Sequence, residues 1–208
     1  MVPQSNVIAD IGSDHAFLPI ALVLDGKVTR AYASEVNEGP YDATVKNIEK
    51  HGVSNYVSAV LSDGISELEK DVDTISICGM GGSLIVDILD KDKSKLEYVN
   101  TLVLEPNNNE ETVRIWLMNN NFVIDDEMII EEDGRYYEII KAVKGIASYS
   151  KEELFFGPRL IKEQNDAFIA KWTNHKAYLE RVMQNIADKE CMNYKLLESI
   201  AKLIEETL

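Results

Sequence analysis

The segment VIADIGSDHAFLPIA, residues 7–21, constrains the fold of this chain more than any other feature. Apolar residues at 7–9 predict a buried strand, the polar run Asp10–His15 predicts a turn, and the apolar run that begins near Phe17 predicts a helix. A strand that ends in Asp-x-Gly and opens into a helix is typical of the nucleotide-binding turn of a Rossmann-type sheet. Gly12 lets this turn approach a ligand closely, because it has no Cβ.

The chemistry of this turn favours a cofactor without phosphates. The second and third glycines of a dinucleotide fingerprint are missing, since Asp14 and Ala16 stand near their positions. A pyrophosphate would meet a carboxylate there, whereas the positive sulfonium of S-adenosylmethionine suits Asp10 and Asp14. The turn therefore predicts S-adenosylmethionine as the cofactor and disfavours a nicotinamide-dependent dehydrogenase.

The remainder of residues 1–147 alternates between predicted strands and helices. We expect strands at 30–34, 56–61, 73–79 and 101–106, with helices after them, and a terminal hairpin of strands near 122–131 and 135–143. Asp133-Gly134 is the turn signal of that hairpin. Five strand–helix units followed by a hairpin predict an α/β fold with the Rossmann-like sheet of a class I methyltransferase.

From about Ser148 onward the apolar pattern becomes purely helical. Apolar residues recur at helical spacing in two segments, which contain Phe168, Trp172, Leu179, Val182 and Ile186, then Leu196, Leu197, Ile200, Leu203 and Ile204. Two long helices that fold back as an antiparallel, coiled-coil-like pair would bury both sets. We therefore predict two domains, a cofactor-binding catalytic domain at 1–147 and a helical domain at 148–208.

The net charge of −15 is distributed unevenly along the chain. Residues 148–208 contain 9 basic residues (Lys and Arg) and 10 acidic residues (Asp and Glu). Residues 1–147 therefore contain 12 of the 21 basic residues and 26 of the 36 acidic residues. If the partner is a nucleic acid, the nearly neutral helical segment is the better place for phosphate contacts. The alternative is an acidic surface that only keeps the protein soluble, and charge alone does not decide between the two.

Composition and cysteine usage predict a cytoplasmic enzyme. No apolar run approaches the roughly 20 residues of a membrane helix, and the N-terminus has none of the features of a signal peptide. Cys78 and Cys191 are far apart in the sequence and match no metal-ligand spacing. We expect free thiols in a reducing compartment, no membrane partner and no metal.

Acids and glycines follow the predicted parallel strands at the edge where an open α/β sheet binds its ligand. Glu35 comes 25 residues after Asp10, close to the roughly 20 expected of an acid that binds ribose hydroxyls. Asp63 follows the third strand and is expected to accept a hydrogen bond from the amino group of an adenine ring. Asp-Gly at strand ends is also common turn chemistry, but four such ends in register rarely arise by chance. The residues predicted to bind the cofactor are Asp10, Gly12, Ser13, Glu35, Val36, Asp63, Gly64, Gly79 and Met80.

Several residues also have plainer interpretations. On the pattern alone, His15 is best interpreted as a residue at a helix start that donates to a nearby carboxylate. The aromatic residues Phe168 and Trp172 are more typical of a helical core than of a platform for stacked bases. The Lys and Arg residues of the helical segment are most simply interpreted as the solvent-exposed side of its helices.

Six segments together resemble the bacterial tRNA (adenine-22, N1)-methyltransferase family. They are DIGSDHAFLPI, EVNEGPY, ISICGMGGSLI, EPN, EEDGRYYEII and FGPRLIKEQNDAFIAKW. The most specific are G-S-D-H-A-x-L-P at 12–19 and I-C-G-M-G-G at 77–82, which ordinary methyltransferases lack. The resemblance extends from about Val7 to the end of the chain. It implies an S-adenosylmethionine-dependent enzyme with a Rossmann-like catalytic domain and a C-terminal helical domain that helps to hold tRNA.

The resemblance also implies roles for individual residues. N1 of adenine has a lone pair at neutral pH, so the reaction needs alignment of the target base, turned out into the pocket, more than it needs a general base. We expect Asp14 to stabilise the positive charge of the methylated ring and to accept from its N6 amino group. Asn107 is expected to contact another edge of the ring, and His15 to fix Asp14 or the methionine end of the cofactor. The expected tRNA contacts are Arg159, Lys162 and Lys171, and we expect a monomer.

The chain departs from the family pattern in two places. Family members usually have an additional, somewhat basic helix before the first strand, whereas Met1 lies almost on that strand here. The family commonly has Gln-Pro-Asn where this chain has Glu105, Pro106 and Asn107. The additional carboxylate of Glu105 is expected to change contacts with the substrate.

Two other classes of function stay open from the sequence. A small-molecule methyltransferase would use the helical tail as a lid or a dimer arm, and would turn over without RNA. A non-catalytic module would bind S-adenosylmethionine and transfer no methyl group.

Overall fold

The computed structural model describes residues 1–208, and a seven-stranded sheet organises the N-terminal three quarters of the chain. The elements of this part are β1 (Ser5–Ile11), α1 (Phe17–Leu24), β2 (Val28–Glu35), α2 (Glu38–Lys50), β3 (Val57–Leu61), β4 (Thr74–Met80), α3 (Gly82–Lys91), β5 (Thr101–Pro106), α4 (Glu110–Asn119), β6 (Phe122–Glu132) and β7 (Arg135–Lys144). A short 3₁₀ helix, Lys93–Glu97, precedes β5. The C-terminal helices are α5 (Lys151–Phe156), α6 (Leu160–Glu163), α7 (Asp166–Gln184) and α8 (Met192–Thr207).

The strands have the order β3-β2-β1-β4-β5-β7-β6. The first five are parallel to their neighbours, and β7 pairs antiparallel with β5. The connections run outward from β1 in one direction and from β4 in the other, so their carboxyl ends form the switch point at which such sheets bind ligands. The predicted α/β fold with a Rossmann-like sheet and a terminal hairpin is confirmed.

One predicted strand–helix unit is wrong, because no helix follows β3. Residues 62–73 form turns, and among the five parallel strands helices follow only β1, β2, β4 and β5. Strand β3 lies at one edge of the sheet and β4 near its centre, so this connection must pass two intervening strands. That distance is about 14 Å at ordinary strand spacing, and residues 62–73 cross it through turns alone.

Apolar residues on both faces of the sheet form the core. Strands β1 and β5 and the first four residues of β4 are almost entirely buried, as expected of parallel strands covered on both sides. One cluster joins Ile75 and Leu102 to Leu89 on α3 and Leu117 on α4. A second cluster packs α1 and α2 against β1 and β2.

A buried ion cluster connects α4 to the terminal strands. The Nε atom of Arg114 donates to Glu127 at 2.7 Å, and its Nη2 atom donates to Glu138 at 2.5 Å. Nη1 donates to the carbonyls of Leu154 and Phe155 on α5. Burial would lower the pKa of Arg114, but the charges of Glu138 and Glu127 and their hydrogen bonds raise it instead. No sequence pattern predicted this cluster, since its members come from four separate elements.

The chain forms two compact units that interleave in sequence. One unit contains residues 1–128 and 138–158, and the other contains residues 129–137 and 159–208. The expected division of function between a catalytic segment at 1–147 and a tRNA-binding segment at 148–208 stays a prediction.

The second unit is built mainly from α7 and α8. Phe168, Trp172 and Leu179 of α7 are buried, as are Ala201 and Ile204 of α8. The predicted pair of amphipathic helices is present. No helix of the structure has both the length and the apolar character that spanning a membrane requires.

Candidate active site

A cleft of about 400 Å³ opens at the carboxyl ends of β1 and β2. Its lining residues are Gly12, Asp14, His15, Glu35, Gly39, Pro40 and Ala43. The structure therefore brings together four residues that the sequence assigns to the cofactor or to catalysis, although Glu35 is at least 20 residues from the others in the chain.

The turn between β1 and α1 has an unusual backbone. Asp14, His15 and Ala16 all have positive φ values, of 38°, 60° and 57°. This left-handed conformation costs about 1–2 kcal/mol for each residue with a Cβ, and such strain is concentrated at functional sites. The side chains of Asp14 and His15 are 87% and 49% exposed as a result, at the wall of the cleft.

Hydrogen bonds to the buried Asp10 carboxylate hold this turn in place. Asp10 is buried, and its two carboxylate oxygens accept from the hydroxyls of Ser13 and Ser76, each at 2.6 Å. Burial raises the pKa of Asp10, while the two hydroxyls lower it in part. Asp10 therefore ties the turn to β4, and direct contact with the cofactor stays a prediction. The sequence did not indicate Ser76, because its pairing with Asp10 depends on the β1–β4 register.

Gly12 shows why the turn requires glycine. Its φ is +70°, and a Cβ at this position would lie 2.2 Å from the Cε atom of Met80. Met80 is thus packed directly against the turn, and its contact with the cofactor stays a prediction. Any side chain at residue 12 would displace Met80 and fill the edge of the cleft.

Glu35 is the acid best placed to bind a ligand. It is only 8% exposed, and its Oε1 atom has no hydrogen-bond partner. Burial raises its pKa, the charges of Asp14 and Asp10 raise it further, and the charge of His15 and the nearby Thr44 hydroxyl lower it. A buried carboxylate oxygen without a donor is costly. The hydroxyl groups of a ribose are donors of the kind this oxygen requires, so the residues present fit a nucleoside cofactor.

The glycine-containing loop after β4 contacts the loop after β5 at the carboxyl edge of the sheet. The Gly82 amide donates to the Asn108 carbonyl at 2.9 Å, and the Asn107 amide donates to the Met80 carbonyl at 2.8 Å. A Cβ on Gly82 would lie 2.5 Å from the carbonyl oxygen of Asn109. The close approach of two backbones therefore explains the second glycine of the pair that ends I-C-G-M-G-G, and it fixes Asn107 at the carboxyl edge.

The remaining predicted cofactor residues lie at the ends of β2 and β3. Val36 is 60% exposed directly after Glu35. Asp63 is exposed and pairs with Lys91 of α3, whose Nζ atom lies 2.5 Å from its carboxylate. That hydrogen bond and the charge of Asp63 raise the pKa of Lys91. An adenine amino group would have to donate to the same carboxylate that Lys91 contacts. The sequence did not indicate this contact between Lys91 and Asp63. Gly64, with φ of +70°, packs near Ile88.

The predicted tRNA contacts lie in the helical unit. Arg159 and Lys162 are exposed at and within α6, and the Lys171 ammonium of α7 lies 5.2 Å from the ring centroid of Trp172. This geometry is typical of a cation–π contact. Their contact with tRNA stays a prediction. No group of three or more His, Cys, Asp or Glu side chains is arranged to hold a metal ion.

The strand order and the cleft at the switch point define a Rossmann-like α/β protein whose cleft residues fit a nucleoside cofactor. A family model for tRNA (adenine(22)-N(1))-methyltransferase matches residues 8–206. The tRNA (adenine(22)-N(1))-methyltransferase of Bacillus subtilis is 38% identical over 207 residues, which cover 95% of this chain and 87% of that protein. The chain belongs to the tRNA (adenine(22)-N(1))-methyltransferase family, so the resemblance found in the sequence is confirmed.

Solved structures agree with this assignment. The crystal structure of Streptococcus pneumoniae Sp1610, described as a putative tRNA (m1A22) methyltransferase, has a TM-score of 0.97 at 40% identity and covers 100% of this chain and 95% of that one. A second structure of Sp1610, in complex with S-adenosyl-L-methionine, has a TM-score of 0.93 at 39% identity and covers 100% and 94%. The similarity includes both the sheet and the C-terminal helices.

Proposed function

We propose that this protein transfers the methyl group of S-adenosylmethionine to N1 of adenine 22 in tRNA. The observation that carries the proposal is the family match over residues 8–206, because it includes the cleft and the helical segment together. The S-adenosylmethionine complex of a relative with 39% identity supports the choice of cofactor. The methyltransferase activity and the cofactor expected from the sequence agree with this membership.

Three residues at the carboxyl edge of the sheet are proposed to hold the cofactor. Glu35 accepts from a ribose hydroxyl through Oε1, which has no partner within the protein. Gly12 allows close approach at the turn, and Asp63 accepts from the adenine amino group while it remains near Lys91. The bound cofactor supplies an electrophilic methyl group on a positive sulfonium.

The chemical step places positive charge on the target base. The N1 lone pair forms a bond to the methyl carbon, the S–CH₃ bond breaks, and its electron pair remains on sulfur. We assign to the Asp14 carboxylate the stabilisation of the cationic ring. Water screens this exposed charge while the cleft is open, and a base that enters the cleft displaces that water and strengthens the interaction.

His15 and Asn107 complete the proposed methyl-transfer site. The Nε2 atom of His15 lies 3.7 Å from the Asp14 carboxylate, close enough to orient it. Asn107 is exposed at the joined loops and is proposed to contact a second edge of the adenine. Both residues position groups, since N1 requires no proton removal before it attacks.

The helical unit is proposed to hold the rest of the tRNA. Arg159, Lys162 and Lys171 supply phosphate contacts. Binding of the protein then releases cations from the RNA, and this release becomes less favourable as the salt concentration rises. The affinity for tRNA therefore falls steeply with salt. We further propose that the protein acts as a monomer in the cytoplasm and without a metal ion.

Methyl transfer from labelled S-adenosylmethionine to unmodified tRNA tests the function directly. A tRNA with adenine 22 replaced by guanine is the matched control. We expect incorporation into the first tRNA only. Equal incorporation into both would overturn the assigned position, and no incorporation despite cofactor binding would overturn the assigned substrate.

A further inference from the structure

The backbone of the turn between β1 and α1 has a shape that its own residues do not favour. Asp14, His15 and Ala16 have positive φ values in succession. Left-handed backbone is unfavourable for residues with a Cβ, and it normally occurs at single positions. Three such residues in a row persist only where the surrounding structure constrains them. The shape of this turn therefore depends on contacts from other elements.

The two ends of the turn are fixed by the sheet and by the core. The amides of Gly12 and Ser13 donate to the Ser34 carbonyl of β2 at 2.9 and 3.1 Å. At the other end, Ala16 is completely buried in the cluster that packs α1 against β1 and β2. The two residues between these ends have exposed side chains, so packing alone does not hold them.

Asn47 of α2 supplies the constraint on this middle part. Its Nδ2 atom donates to the His15 carbonyl at 2.7 Å, although the two residues are 32 positions apart in the sequence. The distance is short for an N–H···O hydrogen bond. The other hydrogen bond of the pair, from the Phe17 amide to the Asp14 carbonyl, is local and has a length of 3.5 Å. Asn47 is therefore the group that ties the exposed part of the turn to a distant element.

The sequence of α2 explains how Asn47 reaches the turn. Pro40 and Ala43 line the cleft. Residues 40, 43 and 47 follow one another at intervals of three and four, so they lie on the same face of the helix. Asn47 is half-buried on this face, whereas the neighbouring Lys46 is exposed. The face of α2 that forms one wall of the cleft therefore continues into the residue that holds the opposite wall.

We propose that Asn47 is a positioning residue for methyl transfer, which holds the Asp14 carboxylate and the His15 ring in place through the His15 carbonyl. The inference rests on the proposed function, in which Asp14 stabilises the cationic adenine. Correct placement of such groups contributes strongly to the rate, and a displacement of about 1 Å can slow a reaction by a factor of about 100. Asn47 acts through the turn and needs no contact with the substrate or the cofactor.

The place of this hydrogen bond predicts which step it affects. Gly12 and Ser13, which are assigned to the cofactor, are anchored to Ser34 independently of Asn47. Loss of the Asn47 donor leaves that part of the turn fixed and releases Asp14 and the residue after it. We therefore expect an effect on kcat and little effect on cofactor affinity.

The test compares two asparagines that make the same kind of hydrogen bond. Asn47→Ala removes the donor to the turn. Asn120→Ala is the matched control, because Asn120 is also half-buried at the end of a helix and its Nδ2 atom donates to the Trp116 carbonyl at the same 2.7 Å. Asn120 follows α4 and does not line the cleft. Methyl transfer to tRNA and S-adenosylhomocysteine affinity are measured for both variants and the parent.

We expect Asn47→Ala to lower kcat about tenfold, since the groups that it misplaces act only in the chemical step. S-adenosylhomocysteine affinity should stay within about threefold of the parent value, which corresponds to less than about 1 kcal/mol. Asn120→Ala should keep the kcat of the parent. Equal losses of kcat in the two variants, or a normal kcat in Asn47→Ala, would overturn the proposal.

A double-mutant cycle with Asp14→Asn tests whether Asn47 acts through the turn. Each single change is expected to slow methyl transfer about tenfold. If both remove the same interaction, the double variant should also be about tenfold slower than the parent, because the effects of coupled residues are not additive. A loss of about 100-fold, the product of the two single losses, would mean that the residues act independently and would contradict the inference.

The backbone of the turn provides a second readout that does not require tRNA. The amide NMR signals of Asp14 and His15 should shift or broaden in Asn47→Ala and remain in place in Asn120→Ala. Unchanged signals in Asn47→Ala would overturn the inference even if the parent is an active enzyme. A parent that does not methylate tRNA would overturn the proposed function, and the NMR comparison would still decide whether Asn47 holds the turn.

Discussion

Two sites of buried charge in the sheet unit differ in how completely they are paired. At the Arg114 cluster, the guanidinium donates to Glu127, to Glu138 and to two backbone carbonyls. At the carboxyl edge, Glu35 keeps a buried oxygen without a donor. The first arrangement contributes to folding, whereas the second leaves a polar atom that a ligand can satisfy. Pairing therefore distinguishes a structural charge from a binding one more clearly than burial does.

The largest effect is expected at the fully paired cluster. Arg114→Met should lower the free energy of unfolding by about 3–5 kcal/mol, because it leaves two buried carboxylates without their cation. Urea denaturation measures this loss. Arg30→Met, which breaks an exposed pair with Asp71, is the control and should cost at most about 1 kcal/mol. Equal losses in the two variants would show that the Arg114 cluster is not structural.

A backbone change at the open edge should affect binding more than folding. Gly12→Ala places a Cβ where Met80 lies and should weaken S-adenosylhomocysteine affinity by a factor of about 100, equivalent to about 2.7 kcal/mol. Gly26→Ala is a matched control, since Gly26 has a similar φ of +65° and no atom within 4 Å of the added Cβ. Calorimetric titration of both variants separates the clash from the strain that they share. Equal affinities would place Gly12 outside the cofactor site.

Neutralising Glu35 should weaken cofactor binding without lowering the stability of the unliganded protein. Glu35→Gln should weaken cofactor affinity by a factor of about 10 to 100, the value of a lost hydrogen bond to a charged group. The unliganded variant should be at least as stable as the parent at neutral pH. The raised pKa means that the folded parent holds a proton longer than the unfolded chain does, so its stability falls as pH rises from 4.5 through the folded pKa.

Denaturation of parent and Glu35→Gln across that pH range checks the sign. The stability of the variant relative to the parent should increase as pH rises and then level off above the folded pKa. A variant that is less stable than the parent at neutral pH would mean that Glu35 has a partner within the folded protein.

The smallest effect is expected at the exposed acid of the turn. Asp14→Asn removes the charge but keeps a residue type that tolerates the left-handed backbone. We expect kcat to fall about tenfold with cofactor affinity unchanged, since a tenfold loss corresponds to about 1.4 kcal/mol. Single-turnover methyl transfer measures this, with Asp87→Asn on α3 as an exposed control. Normal turnover by Asp14→Asn would remove Asp14 from the proposed chemistry.

Local sequence patterns predicted the parts of the site that depend on one segment. The Gly12 turn, the acid that ends β2 and the glycines of I-C-G-M-G-G were found because each lies at or directly after the end of a strand. Ser76 beneath Asp10, Lys91 beside Asp63 and the Arg114 cluster were not found, since their partners come from distant segments. Pairing of this kind depends on strand register and helix placement, and the spacing of apolar residues within one segment does not determine either. For the same reason the helix expected after β3 was wrong, because the length of that crossing follows from strand order.

The absence of that helix has a consequence for the dynamics of the sheet. Strand β3 lies at one edge, and turns at residues 62–73 take the place of the helix expected beside it. A cavity of about 20 Å³ remains beneath them, lined in part by Ser34, whose hydroxyl has no partner. Regions with few buried contacts open first in native-state fluctuations. In hydrogen–deuterium exchange, the amides of β3 should therefore exchange well before those of β1 and β4, even though all three strands end at the same edge.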